Sequence, residues 1–237
     1  MLTVDELAKM IDHSIIDPFS TEDDLVKGIE VARQYCVGQF VTQPFRVSQA
    51  KGLLEGSGIA LQTPIGYPYG TDLTEVKLLQ AKRALDAGVD ELDMVINLSA
   101  LFSDDIAYVE DEIRQVVELA KPYGVVVKSI IEVFFLDEQR IRQVVGAAEA
   151  AGVGFIKTST GTRPDKVEDV ERAIRLIRSI TRPETIIKAS GGVYTLDAVL
   201  SYYDAGARRF GASETARILD DFAARLDQNL LVAGAGA

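Results

Sequence analysis

The chain has 237 residues, 47% hydrophobic and 26% charged, with a formal net charge of −11 and a single cysteine. That length supports the core of one or two ordinary globular domains, and the composition excludes a disordered chain. The negative charge repels phosphate backbones and anionic membrane surfaces, the lone Cys36 excludes an internal disulfide or a cysteine metal cluster, and no apolar run reaches the length of a membrane span.

The opening MLTVDELAKMID is acidic and amphipathic, unlike a secretion signal, so a cytoplasmic location is expected. The first β-type run, MIDHS (10–14), is followed by a helical pattern over 21–35, and QFVTQ (39–43) and GIALQTPIG (58–66) come next. A helix is expected over 75–88, then ELDMVIN (91–97), a helix over 109–124, VVVKSIIE (125–132) and a helix over 137–152. GFIKTST (154–160), a helix over 167–180, TIIKASG (185–191), a helix over 196–207 and RRFGAS (208–213) complete eight apolar runs. Several helices end in Gly, as a left-handed C-cap requires. The tail LLVAGAGA has little to pack, and is expected to be mobile from about residue 230. Cys36 is expected to be a small core residue.

Strand and helix alternating at this spacing imply parallel strands with right-handed crossovers. Eight units match a single (β/α)8 barrel spanning 1–237, a fold of typically about 250 residues. An open doubly wound sheet would carry a Gly-rich dinucleotide turn after its first strand, and none is present.

In such a barrel the active site lies at the C-terminal ends of the strands. Walking round them gives Asp12 and Ser14, Gln43, Thr63, Asp93 and Asn97, Lys128 and Glu132, Lys157, Thr158 and Ser159, Lys188 and Ser190, Gly211 and Ser213. Charges inside a barrel cost several kcal/mol unless paired. Asp93, Lys128, Lys157 and Lys188 therefore form either a satisfied structural network or a site. Three lysines against one carboxylate leave positive charge over, which favours a site: crowded lysines depress one another's pKa, and a neutral lysine attacks carbonyls to form a Schiff base. Lys157 and Lys188 fall on adjacent strands.

The loops after strands seven and eight, SGGVYT and FGASET, stand where this fold commonly binds phosphate through backbone N–H groups. Gly191, Gly192 and Gly211 let bare backbone approach an anion there. His13, the only histidine, reads as a hydrogen-bonded structural residue, and the acids show no metal-cage spacing.

These motifs, in order, carry a family resemblance: IDHSIIDPFSTEDDL, TPIGYPYG, AGVDELDMVIN, IIEVFFLDEQRI, AAGVGFIKTSTG, IKASGGVYT and RRFGASETARIL. Over nearly its whole length the chain resembles the deoxyribose-phosphate aldolases, Schiff-base (class I) aldolases of the (β/α)8 class. The resemblance implies that Lys157 forms the imine, Lys188 tunes it and assists proton transfer, and Asp93 serves a proton relay. It implies cleavage or synthesis of 2-deoxyribose 5-phosphate from glyceraldehyde 3-phosphate and acetaldehyde, with no cofactor and no metal. Substrate contacts are expected from Asp12, Ser14, Lys128, Thr158, Gly161, Ser190, Gly191, Gly192, Gly211 and Ser213, and a homo-oligomer, dimer or tetramer, is expected.

The chain departs from that pattern at several positions. Thr162 replaces a common lysine or aromatic residue, Glu214 replaces a serine at the phosphate end, Asp17 replaces a lysine and Val41 a cysteine, and the C-terminal tyrosine of some members is missing. A carboxylate beside a phosphate is repulsive unless Arg163 or another cation compensates. Two rivals therefore stand beside the leading expectation: an imine-forming aldolase for a non-phosphorylated or modified aldehyde, and a non-catalytic barrel that binds a metabolite.

Overall fold

A computed structural model describes residues 2–163 and 166–228. Eight parallel strands, β1 (Ile11–Ile15), β2 (Gln39–Thr42), β3 (Ala60–Ile65), β4 (Glu91–Val95), β5 (Val126–Ile130), β6 (Phe155–Lys157), β7 (Ile186–Ala189) and β8 (Arg209–Ala212), close into a barrel in chain order. The last pairing, β8 to β1, sets Gly211 beside Asp12, and no sheet edge remains.

The helices are α1 (Val4–Lys9), α2 (Glu22–Gln34), α3 (Val47–Leu53), α4 (Thr74–Asp86), α5 (Leu98–Phe102), α6 (Ile106–Ala120), α7 (Glu138–Ala151), α8 (Val167–Ile180), α9 (Leu196–Ala205) and α10 (Thr215–Asp227). Their ends follow from local chemistry. Thr21 and Asp24 form a reciprocal capping box at the start of α2, satisfying amides that have no partner within the helix. Gly152 and Gly206 end α7 and α9 with φ of 92° and 116°, which any side chain would resist.

Along each strand, alternate residues face opposite ways. Leu61, Leu92, Met94, Ile156, Ile187 and Phe210 pack outward against Ile113, Val116, Ile174, Val199, Ile218 and Phe222 of the helices, forming the apolar core. The alternate set, which includes Gln39, Gln62, Glu91, Asp93, Lys128, Lys157 and Lys188, points into the barrel and is buried. The usual division is thus inverted: the greasy layer lies between sheet and helices, and the barrel axis is ionic.

Three sequence expectations change. β6 ends at Lys157, so Thr158, Ser159 and Thr160 belong to the following loop. Cys36 is exposed and adopts φ of 50° just past α2, because the chain must turn there in the conformation that usually selects Gly. Helix α10 was not expected, although Ile218, Leu219 and Phe222 supply a buried apolar stripe at helical spacing. The tail from about 230 lies outside the described residues.

Candidate active site

Strand register decides which charges meet. Asp93 stands beside Lys128 across β4 and β5, and Lys157 beside Lys188 across β6 and β7, so lysines from three strands converge on one carboxylate of a fourth. Asp93 Oδ2 accepts from Lys157 Nζ and Lys188 Nζ at 2.8 Å each, and Oδ1 accepts from Lys128 Nζ at 2.9 Å. Lys188 also pairs with Asp12 Oδ2 at 2.5 Å, and Asp12 Oδ1 takes two N–H groups of Arg209 at 2.6 and 2.9 Å. Glu91 contacts Lys128 and, at 3.4 Å, Arg209. Gln62 Oε1 accepts from both Lys128 and Lys188, and its Nε2 reaches Gln39.

The sequence reading counted one carboxylate against three lysines. The folded site holds three carboxylates, Asp12, Glu91 and Asp93, against four cations, Lys128, Lys157, Lys188 and Arg209. One cation remains in excess, and burial makes that excess costly.

The excess falls on Lys157. Burial pushes its ammonium down; Asp93 works against burial and Lys188 adds to it, and the outcome is a pKa of about 8. At pH 7 about one tenth is then the free amine, against well under a thousandth for an ordinary lysine. Lys188 behaves otherwise than expected. Burial would lower it, but Asp12 and Asp93 together outweigh burial and hold it above the usual value, so it is the standing cation beside Lys157. Asp93 is likewise opposed by burial yet held well below the carboxylate range by Lys128, Lys157 and Lys188. Here a buried acid remains ionised because three ammonium groups surround it.

Two loops stand above this cluster. Thr158 Oγ1 donates to the Ser190 carbonyl and accepts from its N–H, at 2.8 and 2.9 Å, which pins the end of β6 to the end of β7. Gly161, Gly191 and Gly192 all take positive φ. A side chain on Gly161 would meet Ser190 Oγ at 3.7 Å and the Gly191 amide at 3.9 Å, and one on Gly211 would meet Ser190 Oγ at 3.3 Å. Gly161, Gly211, the Gly191 amide and Ser190 thus face one small space beside Lys188, whose Cε lies 3.5 Å from the same Gly211 position. Ser14 Oγ bonds to the Asp12 carbonyl, and Ser213 is exposed at the rim. Glu214 caps the start of α10 without a side-chain bond and is exposed, while the Arg163 guanidinium lies over the Phe135 ring at 4.7 Å.

Substrate contact was expected of Asp12 and Lys128. Both are fully buried with their polar atoms committed to Lys188 and Arg209, or to Asp93, Glu91 and Gln62, so they brace the site from below. Sequence reasoning missed Gln39, Gln62, Glu91 and Arg209. The signal was the period of two: Glu91 precedes Asp93, and Arg209 precedes Gly211, on the same inward face.

Glu132, two residues beyond β5, is buried with φ of 53° and ψ of 60°, a left-handed conformation that is uncommon for any residue with a side chain. Its Oε2 accepts from the Thr160 amide at 3.1 Å and hydroxyl at 2.5 Å, and burial pushes its pKa up. His13 is on the outer side of β1, its Nδ1 2.8 Å from Thr215 Oγ1, and burial lowers it to about 4, so it stays neutral in a structural role.

The chain matches the model of the DeoC/LacD family aldolases over residues 26–215. It is 40% identical over 219 residues to a deoxyribose-phosphate aldolase of Thermococcus gammatolerans, covering 91% of this chain and 96% of that protein. It is 37% identical over 223 residues to a deoxyribose-phosphate aldolase of Bacteroides thetaiotaomicron, covering 93% and 92%. The solved deoxyribose phosphate aldolase of Aeropyrum pernix, described as a unique tetramer, superposes with a TM-score of 0.87 at 32% identity, covering 94% of this chain and 93% of that one. A match of that extent, carried by a barrel of the same architecture, makes this chain a member of the DeoC/LacD aldolase family and hence an aldehyde-cleaving lyase.

Proposed function

We propose that the chain is a class I aldolase that cleaves and forms 2-deoxyribose 5-phosphate through an imine on Lys157. The observation that carries this reading is the lone uncompensated ammonium: Lys157 sits at the strand end with one carboxylate neighbour, already shared, and a pKa of about 8. The curated relatives of the same length bear that activity in their names.

In the cleavage direction the Lys157 amine adds to the open-chain aldehyde carbon, and loss of water leaves a protonated imine. A base then takes the proton of the C3 hydroxyl. Asp93 and Lys188, bonded to each other at 2.8 Å, serve as a relay through water. The C3–O bond becomes a carbonyl, the C2–C3 electron pair moves into the imine, and glyceraldehyde 3-phosphate leaves. Protonation of the resulting enamine at C2 and hydrolysis release acetaldehyde and restore the amine. In this reading backbone amides around Gly161, Gly191, Gly192 and Gly211, with Ser190 and Ser213, would hold the phosphate, and Arg163 would add positive charge at the rim.

The partner class in this reading is a small sugar phosphate of the cytoplasm; nucleic acid is disfavoured by the net charge of −11. Among the described residues no helix is long and apolar enough to cross a membrane. Exposed Leu73, Val76, Leu79, Phe102 and Tyr108 supply an apolar face for a homo-oligomer.

Acetaldehyde with cyanoborohydride is expected to add one ethyl group to the wild type and none to Lys157→Ala. An adduct that survives the substitution overturns the assignment. Turnover of deoxyribose 5-phosphate is expected to exceed that of deoxyribose by at least about 100-fold in kcat/KM, as charge-assisted anchoring of a phosphate implies; equal efficiencies would remove the phosphate from the reading.

A further inference from the structure

The buried charges of the barrel form a closed figure, of which the proton relay takes only Asp93 and Lys188. Starting at Asp93, the contacts run to Lys128, to Glu91, to Arg209, to Asp12, to Lys188 and back to Asp93. Six charges alternate in sign around a closed ring, and each cation bridges two carboxylates. Gln62 spans the ring by accepting from both Lys128 and Lys188, at 2.8 and 2.9 Å, and Gln39 ties Gln62 to Glu91, at 3.2 and 2.7 Å. The ring is neutral without Lys157. Lys157 is a seventh group attached at Asp93 Oδ2, an oxygen that Lys188 already holds.

We infer that this alternating ring sets the protonation state of Lys157, and that Glu91 and Arg209, on its far side, are positioning residues for the imine chemistry. Protonating Lys157 adds a charge to an assembly that is already balanced, so the burial that favours the free amine is opposed only in part, by Asp93, while Lys188 and Lys128 add to it. Removing a ring charge upsets that balance with a sign fixed by the charge removed. Neutralising Glu91 leaves Lys128 and Arg209 short of one anion, and their surplus field disfavours a protonated Lys157. Neutralising Arg209 leaves Asp12 and Glu91 in surplus and favours it.

The other groups near Lys157 leave the count within the ring unchanged. From β1 comes Asp12, from β4 Glu91 and Asp93, from β5 Lys128, from β7 Lys188 and from β8 Arg209; β2 and β3 contribute only neutral Gln39 and Gln62. Beyond the end of β5, Glu132 is bound by Thr160 and sits in the field of both Lys157 and Arg163. Burial works against its ionised form, and the charge it carries is met by Lys157 first and by Arg163 second, outside the ring. His13 is on the outer face with Thr215.

The inference rests on Lys157 forming the imine, and the test separates the two. The rate of cyanoborohydride-trapped acetaldehyde addition is followed against pH in the wild type, Glu91→Gln, Arg209→Met and Arg209→Lys. The half-maximal pH is expected near 8 in the wild type. It should fall by about one pH unit in Glu91→Gln and rise by about one in Arg209→Met, the size of a unit charge acting across a barrel at an effective dielectric constant of about 20. Arg209→Lys keeps the charge and should leave the midpoint unmoved.

Mere disturbance of packing predicts slower trapping in all variants with no opposite displacement. Midpoints that stay fixed, or move the same way in both neutral variants, overturn the inference. If a single neutral variant does not fold, the double variant Glu91→Gln/Arg209→Met, which restores balance, is expected to fold with the wild-type midpoint, and a displaced midpoint there overturns it equally. An absence of trapped adduct in the wild type would instead refute the imine itself.

Discussion

Two buried lysine–carboxylate pairs in this molecule look alike and do different things. Lys77 on α4 and Glu112 on α6 meet at 2.8 Å with both side chains fully buried, as do Lys157 and Asp93 inside the barrel. The outer pair closes on itself. Lys77 also donates to the Val95 carbonyl at 3.0 Å, and Glu112 accepts from Thr74 at 3.4 Å, so one charge answers one charge and the remaining bonding capacity is filled by neutral partners. Burial pushes Lys77 down and Glu112 up, and their mutual attraction limits both shifts. The inner pair does not close, because Asp93 belongs to a complete ring and Lys157 is left over. A buried ion pair fastens α4 to α6 in one case, and a charge without its own counterion becomes a nucleophile in the other.

Substitutions can break this contrast. Lys157→Met should lower kcat by on the order of 10⁴-fold or more, as loss of a covalent nucleophile does, measured with the phosphorylated sugar. Lys77→Met should leave trapped-adduct formation intact while costing about 3–5 kcal/mol of stability, because it strands Glu112 in the core; denaturant unfolding reads it. A Lys77→Met protein as stable as wild type would dissolve the distinction.

The smaller effects sharpen it. The drop from 10.5 to about 8 at Lys157 corresponds to about 3 kcal/mol of strain on the ammonium. Lys157→Met should therefore be more stable than wild type at pH 7, by about 1–3 kcal/mol, since a neutral stem leaves the ring balanced. The sign with pH follows from linkage. Between pH 8 and 10.5 the unfolded lysine holds its proton and the folded one has released it, so the unfolded state binds more protons and stability rises with pH. Wild-type stability relative to Lys157→Met should climb across that window and stay flat below it. The rate of adduct formation should fall about tenfold per pH unit below the Lys157 midpoint.

Much of the architecture was legible in the chain. Eight apolar runs separated by helical spacing left few ways to bury them other than a closed parallel barrel, and Lys157, Lys188 and Asp93 stood out as charges where strands should be greasy. Cys36 misled because composition favours burying cysteine, whereas its position just past α2 demanded a left-handed turn at the surface. Helix α10 follows the last strand and its only helical signal is the apolar stripe of Ile218, Leu219 and Phe222, with no side-chain cap at its start.

The sequence by itself determined which residue types lie at strand ends, since alternation and spacing are local properties of the chain. Only the tertiary structure decided how those charges are counted. Asp12 and Arg209 lie at opposite ends of the chain and meet because β8 closes on β1, and that closure, with Glu91, joins Asp93, Lys128 and Lys188 into a balanced ring with the Lys157 amine outside it. Coulomb energy depends on distance and burial, and register across eight strands fixes both.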